Sequence, residues 1–216
     1  MKLKNIKRKR LNNKGFTLIE LLAVVVILAV VMGIAMTSVL SSMNKSRGGS
    51  LQDSAQSVNR SFNQAYTESL VGSSGPTSVL GMYNFTGDAA YYIDDSLADE
   101  FSMSTSNYEL YSGDTAPTNL IEGDTTEITV DKSFVAYDSA TSKFLVCLKA
   151  DANGSYFVRS YSKTGNGNIA DAAKFIMFGS NSDRIKYTFA DGSMFACYNG
   201  SQFVTTWEKP DASTQS

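Results

Sequence analysis

The sequence predicts an α+β protein in which a long amino-terminal α-helix packs, by its second half, on an antiparallel β-sheet head. Three observations lead to this prediction. Residues 16–40 form a run of 25 residues in which Glu20 is the only charged side chain. Residues 51–70 repeat apolar side chains at spacings of three and four, the pattern of an amphipathic helix. From residue 127 onward, short β-branched and aromatic runs alternate with turn residues, which is typical of antiparallel strands.

The apolar run over residues 16–40 is long enough to cross a membrane. At about 1.5 Å per residue a helix of this length spans roughly 37 Å, more than the hydrocarbon core of a bilayer. Residues 21–32 are apolar on every face, so lipid or neighbouring helices must surround them. Residues 1–15 precede the run with seven Lys and Arg and no acid. Because basic flanks stay in the cytoplasm, the predicted topology is amino terminus inside and carboxyl terminus outside.

A lone carboxylate in an apolar segment is costly, so Glu20 should have a partner and a purpose. It ends the heptapeptide KGFTLIE at residues 14–20, which resembles the class III signal of type IV pilins, their prepilins and the related pseudopilins. The resemblance implies that a prepilin peptidase cuts after Gly15 and methylates the new amino terminus at Phe16. It also implies that Glu20 neutralises the amino terminus of an adjacent subunit during assembly. Many members of the family have proline where this chain has Thr37.

Two other interpretations of this segment compete with the pilin-type helix. An ordinary secretory signal peptide would use the apolar run as its central region, but the run is long for that role and contains Glu20. A plain single-pass anchor explains the hydrophobicity and the charge bias. It leaves Glu20 and the junction between Gly15 and Phe16 unexplained, whereas the pilin-type helix explains both.

The helix is predicted to occupy residues 16–71, with residues 16–40 as its membrane and filament-core part. Gly48 and Gly49 predict a kink or a short gap. The apolar period then returns from Leu51, and polar residues including Asn59 mostly fill the remaining positions. A stop is predicted near Gly72. In the resemblance, this second half packs its apolar face on the sheet of the head.

Residues 72–126 correspond to the variable αβ-loop region of the family. A short helix over residues 96–101, capped by Ser96, and a turn over residues 113–117 are predicted there. Several aromatic side chains in this interval either form a receptor surface or pack the loop onto the core, and packing is the favoured interpretation. They are Tyr83, Phe85, Tyr91, Tyr92, Tyr108 and Tyr111.

Residues 127–207 are predicted to form the antiparallel sheet, and residues 208–216 a flexible tail. The predicted strands cover residues 127–130, 133–137, 143–149, 155–161, 184–189, 194–198 and 202–207. The fifth and sixth of these are predicted to form a hairpin across Asp191 and Gly192. A short helix over residues 168–175, capped by Asn168, is also predicted.

The chain has two cysteines, Cys147 and Cys197, both in the part predicted to lie outside the cytoplasm. An even count in an oxidising location permits one disulfide, and two buried thiols are the alternative. Many pilins close a carboxyl-terminal region with such a bond. In the chain-entropy model a loop of about 50 residues would gain roughly 4 kcal/mol as an upper estimate.

Composition argues against several function classes. There is no histidine, which removes the commonest general base and metal ligand. Residues 16–216 hold 12 of the 19 basic and all 21 acidic side chains, a net charge of −9 that disfavours a nucleic-acid-binding body. No phosphate-binding loop is present. Asp151, Asp183 and Asp191 offer oxygen ligands of the kind calcium takes, but their spacing is typical of turns. We therefore expect no catalytic residue, metal or cofactor.

Taken together, the sequence predicts a structural subunit that polymerises into a type IV pilus used for adhesion, motility or aggregation. The expected partners are other pilin copies in a helical filament, the prepilin peptidase, the cytoplasmic membrane, the pilus assembly platform and a host or surface receptor. The subunit would lie in the cytoplasmic membrane before assembly and outside the cell afterwards. Two alternatives remain: a minor pilin or pseudopilin of a secretion or competence apparatus, and a membrane-anchored extracellular binding module that never polymerises.

Overall fold

The computed structural model describes residues 16–70, 83–113, 118–157, 175–180, 184–189 and 194–206. The leader, the helix stop near Gly72, most of the turn over residues 113–117, residues 168–174 of the predicted helix, the turn at Asp191 and Gly192, and the tail lie outside these ranges. The chain divides into two compact units, Met1–Leu40 and Ser41–Ser216.

The long helix is confirmed as α1, Leu18–Leu70, with 53 residues. The short gap predicted as one possibility at Gly48 and Gly49 is wrong, because both residues are helical and α1 continues through them. Glycine costs only about 1 kcal/mol relative to alanine within a helix. Packing of the next turns offsets that cost, since Leu51, Ala55 and Phe62 are fully buried.

In the part of the chain that the structure describes, eight strands and one short α-helix follow α1. The strands are β1 (Ala89–Tyr92), β2 (Glu127–Val130), β3 (Phe134–Asp138), β4 (Lys143–Lys149), β5 (Phe175–Phe178), β6 (Ile185–Phe189), β7 (Phe195–Tyr198) and β8 (Phe203–Thr206), and α2 is Asp95–Glu100. A 3₁₀ turn lies at Thr105–Asn107. The strand predictions for β2, β3, β4, β6, β7 and β8 are confirmed to within one or two residues.

The first sheet has five antiparallel strands in the order β1-β3-β4-β7-β8. Side chains on one face join a core with α1, and side chains on the other face join a second core. In β3, for example, Val135 and Tyr137 belong to the first core, whereas Phe134 and Ala136 belong to the second. Every residue of β3 is buried, because successive side chains of a strand point to opposite faces and both faces of this sheet are covered.

The second sheet has three strands in the order β2-β6-β5 and covers the outer face of the first. Its β2–β6 pair is parallel, so the prediction of a wholly antiparallel sheet is wrong for this pair. The hairpin predicted between β6 and β7 is also wrong, because β6 pairs with β2 and β5 while β7 pairs with β4 and β8. The chain crosses from one sheet to the other between these strands.

Three further local predictions differ from the structure. The cap of α2 is Asp94, whose Oδ1 accepts from the backbone N of Leu97 at 2.8 Å, and Ser96 lies within the helix. An N-cap side chain accepts from an N–H two or three residues further along the chain, and Asp94 lies three residues before Leu97. Residues 155–157 of the predicted strand lie in turns, and residues 158–161 are not described. Phe175, predicted as the end of a short helix, instead begins β5.

A buried amide joins α1 to the first sheet. Asn59 Nδ2 donates to the backbone O of Phe144 at 2.7 Å and to that of Tyr198 at 3.2 Å. The residue is 2% exposed, although the sequence pattern grouped it with the polar positions of the helix. Its side chain is thus a hydrogen-bonded link from α1 to both β4 and β7.

Candidate assembly site at the start of the helix

The first turn of α1 is closed by two side chains that bind each other. Glu20 Oε2 accepts from the backbone N of Thr17 and from Thr17 Oγ1, each at 2.8 Å. In return, the backbone N of Glu20 donates to Thr17 Oγ1 at 3.3 Å. A threonine and a glutamate three residues apart that bind reciprocally in this way form a capping box, which satisfies two otherwise unpaired N–H groups. The helix therefore has a defined start one residue after Thr17.

Thr17 is a site residue that the sequence analysis missed. The signal was present, because a Thr-x-x-Glu spacing before an apolar run is the pattern of a capping box. From the sequence, the partner predicted for Glu20 was an amino terminus created by cleavage. The structure shows that Glu20 also has hydrogen-bond partners within its own chain. Those two bonds reduce the cost of holding the carboxylate in apolar surroundings, but neither bond supplies a cation to balance its negative charge.

Of the predicted processing residues, Phe16 lies directly before the capping box and is 89% exposed, and Gly15 lies outside the described residues. Phe16 and Glu20 are four positions apart in the chain. The predicted junction therefore places the new amino terminus one residue before the cap.

The side chains of the rest of the apolar segment are not covered by other described residues of the chain. Its described residues are exposed on every face of the helix, including Leu21, Val25 and Leu28 at 51–63%. Among the described residues, α1 is the helix long and apolar enough to cross a membrane. Thr37 does not interrupt it, since α1 continues through this position, and Thr37 Oγ1 donates to the backbone O of Ile34 at 3.0 Å. Such a helix needs lipid or other helices around it.

In the head, Cys147 and Cys197 lie opposite each other on β4 and β7 and are joined by a disulfide bond. Both are fully buried in the core between the two sheets. The bond closes a loop with a sequence separation of 50. It therefore ties together strands that the chain visits far apart, on the side of the first sheet that faces away from α1.

The described residues include no group of three or more His, Cys, Asp or Glu side chains that could hold a metal ion. Asp151 Oδ1 accepts from the backbone N of Asn153 at 2.7 Å, a turn contact, and Asp183 and Asp191 are not described. Burial raises the pKa of Tyr83, with Asp94 as the lesser cause, and burial likewise raises the pKa of Tyr187. These shifts have a structural cause, the packing of tyrosines in the core.

The aromatic residues of the αβ-loop region mostly pack into the cores, as the favoured interpretation expected: Tyr83, Phe85, Tyr91 and Tyr108 belong to the first core, and Tyr92 packs against the second. Four are buried and two are half-buried; they are Tyr83, Phe85, Tyr91 and Tyr108, and Tyr92 and Tyr111. Phe85 meets Tyr91 edge to face at 5.5 Å between ring centroids, and Tyr92 stacks on Tyr111 at 6.3 Å. These side chains do not form an exposed aromatic surface.

Comparison with known proteins bears on the amino-terminal segment. Residues 10–36 match the prokaryotic N-terminal methylation motif. The chain carries the type IV prepilin signature. No curated protein and no solved structure matches the chain. The matched residues include the junction after Gly15, the capping box and most of the apolar segment, up to residue 36. The motif thus supports a type IV pilin-like or pseudopilin precursor with a membrane-anchoring helix.

Proposed function

We propose that the chain is a structural, non-enzymatic subunit of a type IV pilus, made as a membrane-anchored prepilin and polymerised after cleavage. The observation that carries this proposal is the position of Glu20. Its charge lies four positions after Phe16, the proposed new amino terminus, at the start of a helix whose first half is exposed and apolar on all sides.

Processing would remove the basic, cytoplasmic leader and create one positive charge, the new amino group of Phe16. Cleavage after Gly15 removes seven Lys and Arg and leaves Glu20 as the sole charged side chain of residues 16–40. The leader favours retention with the amino terminus inside, so its removal takes away the main determinant of that topology. Methylation of the Phe16 amine keeps that amine basic.

Assembly would then bury the apolar halves of many helices against one another. In that bundle a carboxylate is stable only when a cation lies beside it, and removing one partner of a buried ion pair costs about 3–5 kcal/mol. The Phe16 amine of an adjacent subunit would supply the cation. The pair therefore sets the axial position of each subunit, because a subunit seated wrongly leaves a charge unpaired. The capping box holds the Glu20 carboxylate in place before the partner arrives.

Two substitutions separate the charge of Glu20 from its capping role. Glu20→Gln keeps an oxygen that can accept from Thr17 and removes the charge, whereas Thr17→Ala keeps the charge and removes the hydroxyl. We expect Glu20→Gln and Glu20→Ala to be processed and to give at least about a hundredfold less fibre, from roughly 3 kcal/mol or more of lost pairing. Thr17→Ala should lose about 1 kcal/mol of capping and keep most of its fibre yield. Normal fibre yield from Glu20→Gln would refute the pairing argument.

Amino-terminal sequencing and intact mass of the membrane fraction test the first step. The proposal expects a chain that begins at N-methylated Phe16. A functional, monomeric chain that keeps residues 1–15 would instead identify an anchored binding module.

A minor pilin or a pseudopilin would carry the same signature and the same amino terminus. Abundance in fibres sheared from cells distinguishes these roles, because a major subunit dominates the fibre mass. We expect this chain to be the main component. Trace amounts in fibres built of another subunit would assign it a minor role.

A further inference from the structure

The two described sheets have four edge strands, β1, β8, β2 and β5, and an edge strand offers unpaired backbone groups to another strand. The edge of β1 is covered, because the backbone N of Ala90 donates to Asn119 Oδ1 and its O accepts from the backbone N of Leu120. The edge at β2 carries a charge, Glu127. The edge at β8 contains two threonines, and Phe203 is its only described side chain.

The remaining edge, β5, consists of Phe175, Ile176, Met177 and Phe178. It has no charge, no proline and no polar side chain, the features that usually protect an edge from pairing. Ile176 and Phe178 face the inter-sheet core. Phe175 and Met177 point outward and are 47% and 43% exposed. This edge is therefore apolar on its outer face as well as its inner face.

The charge around this edge also favours a second copy of the same chain. Residues 16–216 carry a net charge of −9, which makes copies repel each other. On the outer face of the second sheet, however, Lys186 Nζ lies 2.9 Å from Glu127 Oε1 and 5.0 Å from the centre of the Phe175 ring. The two charges compensate each other, so two copies can approach here at low electrostatic cost.

The strand is also complementary to itself. Antiparallel pairing of two β5 strands about Ile176 keeps both sheets facing the same way and places Phe175 of one copy opposite Met177 of the other. Cross-strand pairs of this kind stabilise sheets, and a thioether beside an aromatic ring is a favourable contact. Both outward side chains would then be covered at once.

We infer that β5 is a self-recognition edge that joins the heads of neighbouring filaments side by side and so bundles them. The inference rests on the proposed function, because a four-residue strand buries far less than the roughly 1,600 Å² of a standard interface. Single chains should therefore not dimerise through β5. A filament repeats the edge many times, and the repeated weak contacts gain strength by avidity.

The test uses full-length chains, assembled in cells and sheared from them. Low-speed centrifugation collects bundles, high-speed centrifugation collects all fibres, and electron microscopy identifies each. Met177→Lys adds a charge at the edge without touching the core. Thr129→Lys is the matched control, since Thr129 is exposed on the same face of the same sheet but on the opposite edge strand, β2.

We expect Met177→Lys to keep the high-speed yield and to lower the low-speed fraction by about tenfold or more, since avidity contributes factors of that size. Thr129→Lys should change neither. The register of the pairing is tested by two double variants. Phe175→Glu/Met177→Lys places opposite charges face to face and should restore bundling, whereas Phe175→Glu/Met177→Glu places like charges face to face and should not.

Bundling of Met177→Lys at the wild-type level would overturn the inference, and so would an equal loss in Thr129→Lys. Failure of the opposite-charge variant to bundle better than the like-charge variant would overturn the proposed register and, with it, the self-recognition edge. Wild-type fibres that remain single would overturn the inference alone. A wild-type chain that makes no fibres would overturn the proposed function and this inference together.

Discussion

Replacement of Asn59 by leucine should cost the head much of its stability, although the leucine side chain has the same number and branching of heavy atoms. The amide of Asn59 supplies two hydrogen bonds to backbone oxygens, of Phe144 at 2.7 Å and of Tyr198 at 3.2 Å, in a site where Asn59 is 2% exposed. A buried polar group that loses its partner costs about 1–3 kcal/mol. Two such losses, partly offset by the added apolar burial, give a decrease of about 2–4 kcal/mol in the free energy of unfolding. At roughly 2–4 °C per kcal/mol for a domain of this size, Tm falls by about 5–15 °C.

The assay is thermal unfolding of the purified full-length chain in detergent, followed by circular dichroism at wavelengths that report the sheet. Gln64→Leu is the matched control, because Gln64 lies on the exposed side of the same helix and its amide binds only Glu68 at 3.0 Å. We expect the control to change the free energy of unfolding by no more than about 0.5 kcal/mol. If Asn59→Leu is as stable as Gln64→Leu, the buried amide does not hold the helix to the sheet and the reasoning fails.

Three further predictions follow from the head. Replacing Cys147 and Cys197 together by alanine should lower the free energy of unfolding by about 4 kcal/mol at most, measured by urea denaturation, and intact mass should show no free thiol in the wild type. A hydrogen bond from Lys186, and to a lesser extent one from Thr188, lowers the pKa of Glu127. The ionised Glu127 therefore stabilises the folded head slightly at pH values above 4.5, and this stabilisation is lost as the pH falls below 4.5. Glu127→Gln and wild type should therefore converge in Tm at acid pH, and a constant difference would contradict this. The hydrogen bond with Tyr137 raises the pKa of Tyr66 to about 12. The stabilisation that the protonated Tyr66 contributes is therefore complete below pH 10 and is lost as the pH rises towards 12. Absorbance at 295 nm should show Tyr66 ionising at a higher pH than an exposed tyrosine until the head unfolds.

Local signals in the sequence predicted a large part of this fold. The helix α1 follows from one long apolar run and one amphipathic period, and the hairpin of β3 and β4 follows from two apolar runs around a turn. These features depend on residues close together in the chain. Burial of one face of the second half was also predictable, because Leu51, Ala55 and Phe62 repeat at helical spacing, and the family resemblance implied that the sheet covers this face.

The errors concern choices that distant contacts decide. Whether β6 turns back onto β7 or crosses to another sheet depends on which partners bury both strands, and a turn pattern does not contain that information. Asn59 is polar, so the period placed it with the solvent-facing residues. Its burial depends on two backbone oxygens that are 85 and 139 residues away in the chain. At the candidate site, Glu20 was predictable from its isolated charge. Thr17 was also predictable, because its spacing of three residues before Glu20 is a local capping-box pattern, but it was missed.

The capped first turn has a consequence for the charge that cleavage creates. The backbone N–H groups at the beginning of an α-helix give that end a partial positive charge, which disfavours a nearby cation by about 0.3–1 kcal/mol. A cut after Gly15 would place the new ammonium of Phe16 at this end of α1, one residue before Thr17. The helix that bears the ammonium therefore repels it, while its own Glu20 is already held by Thr17. Cleavage would in this way produce an ammonium that its own helix dipole destabilises and that the carboxylate of another molecule can stabilise.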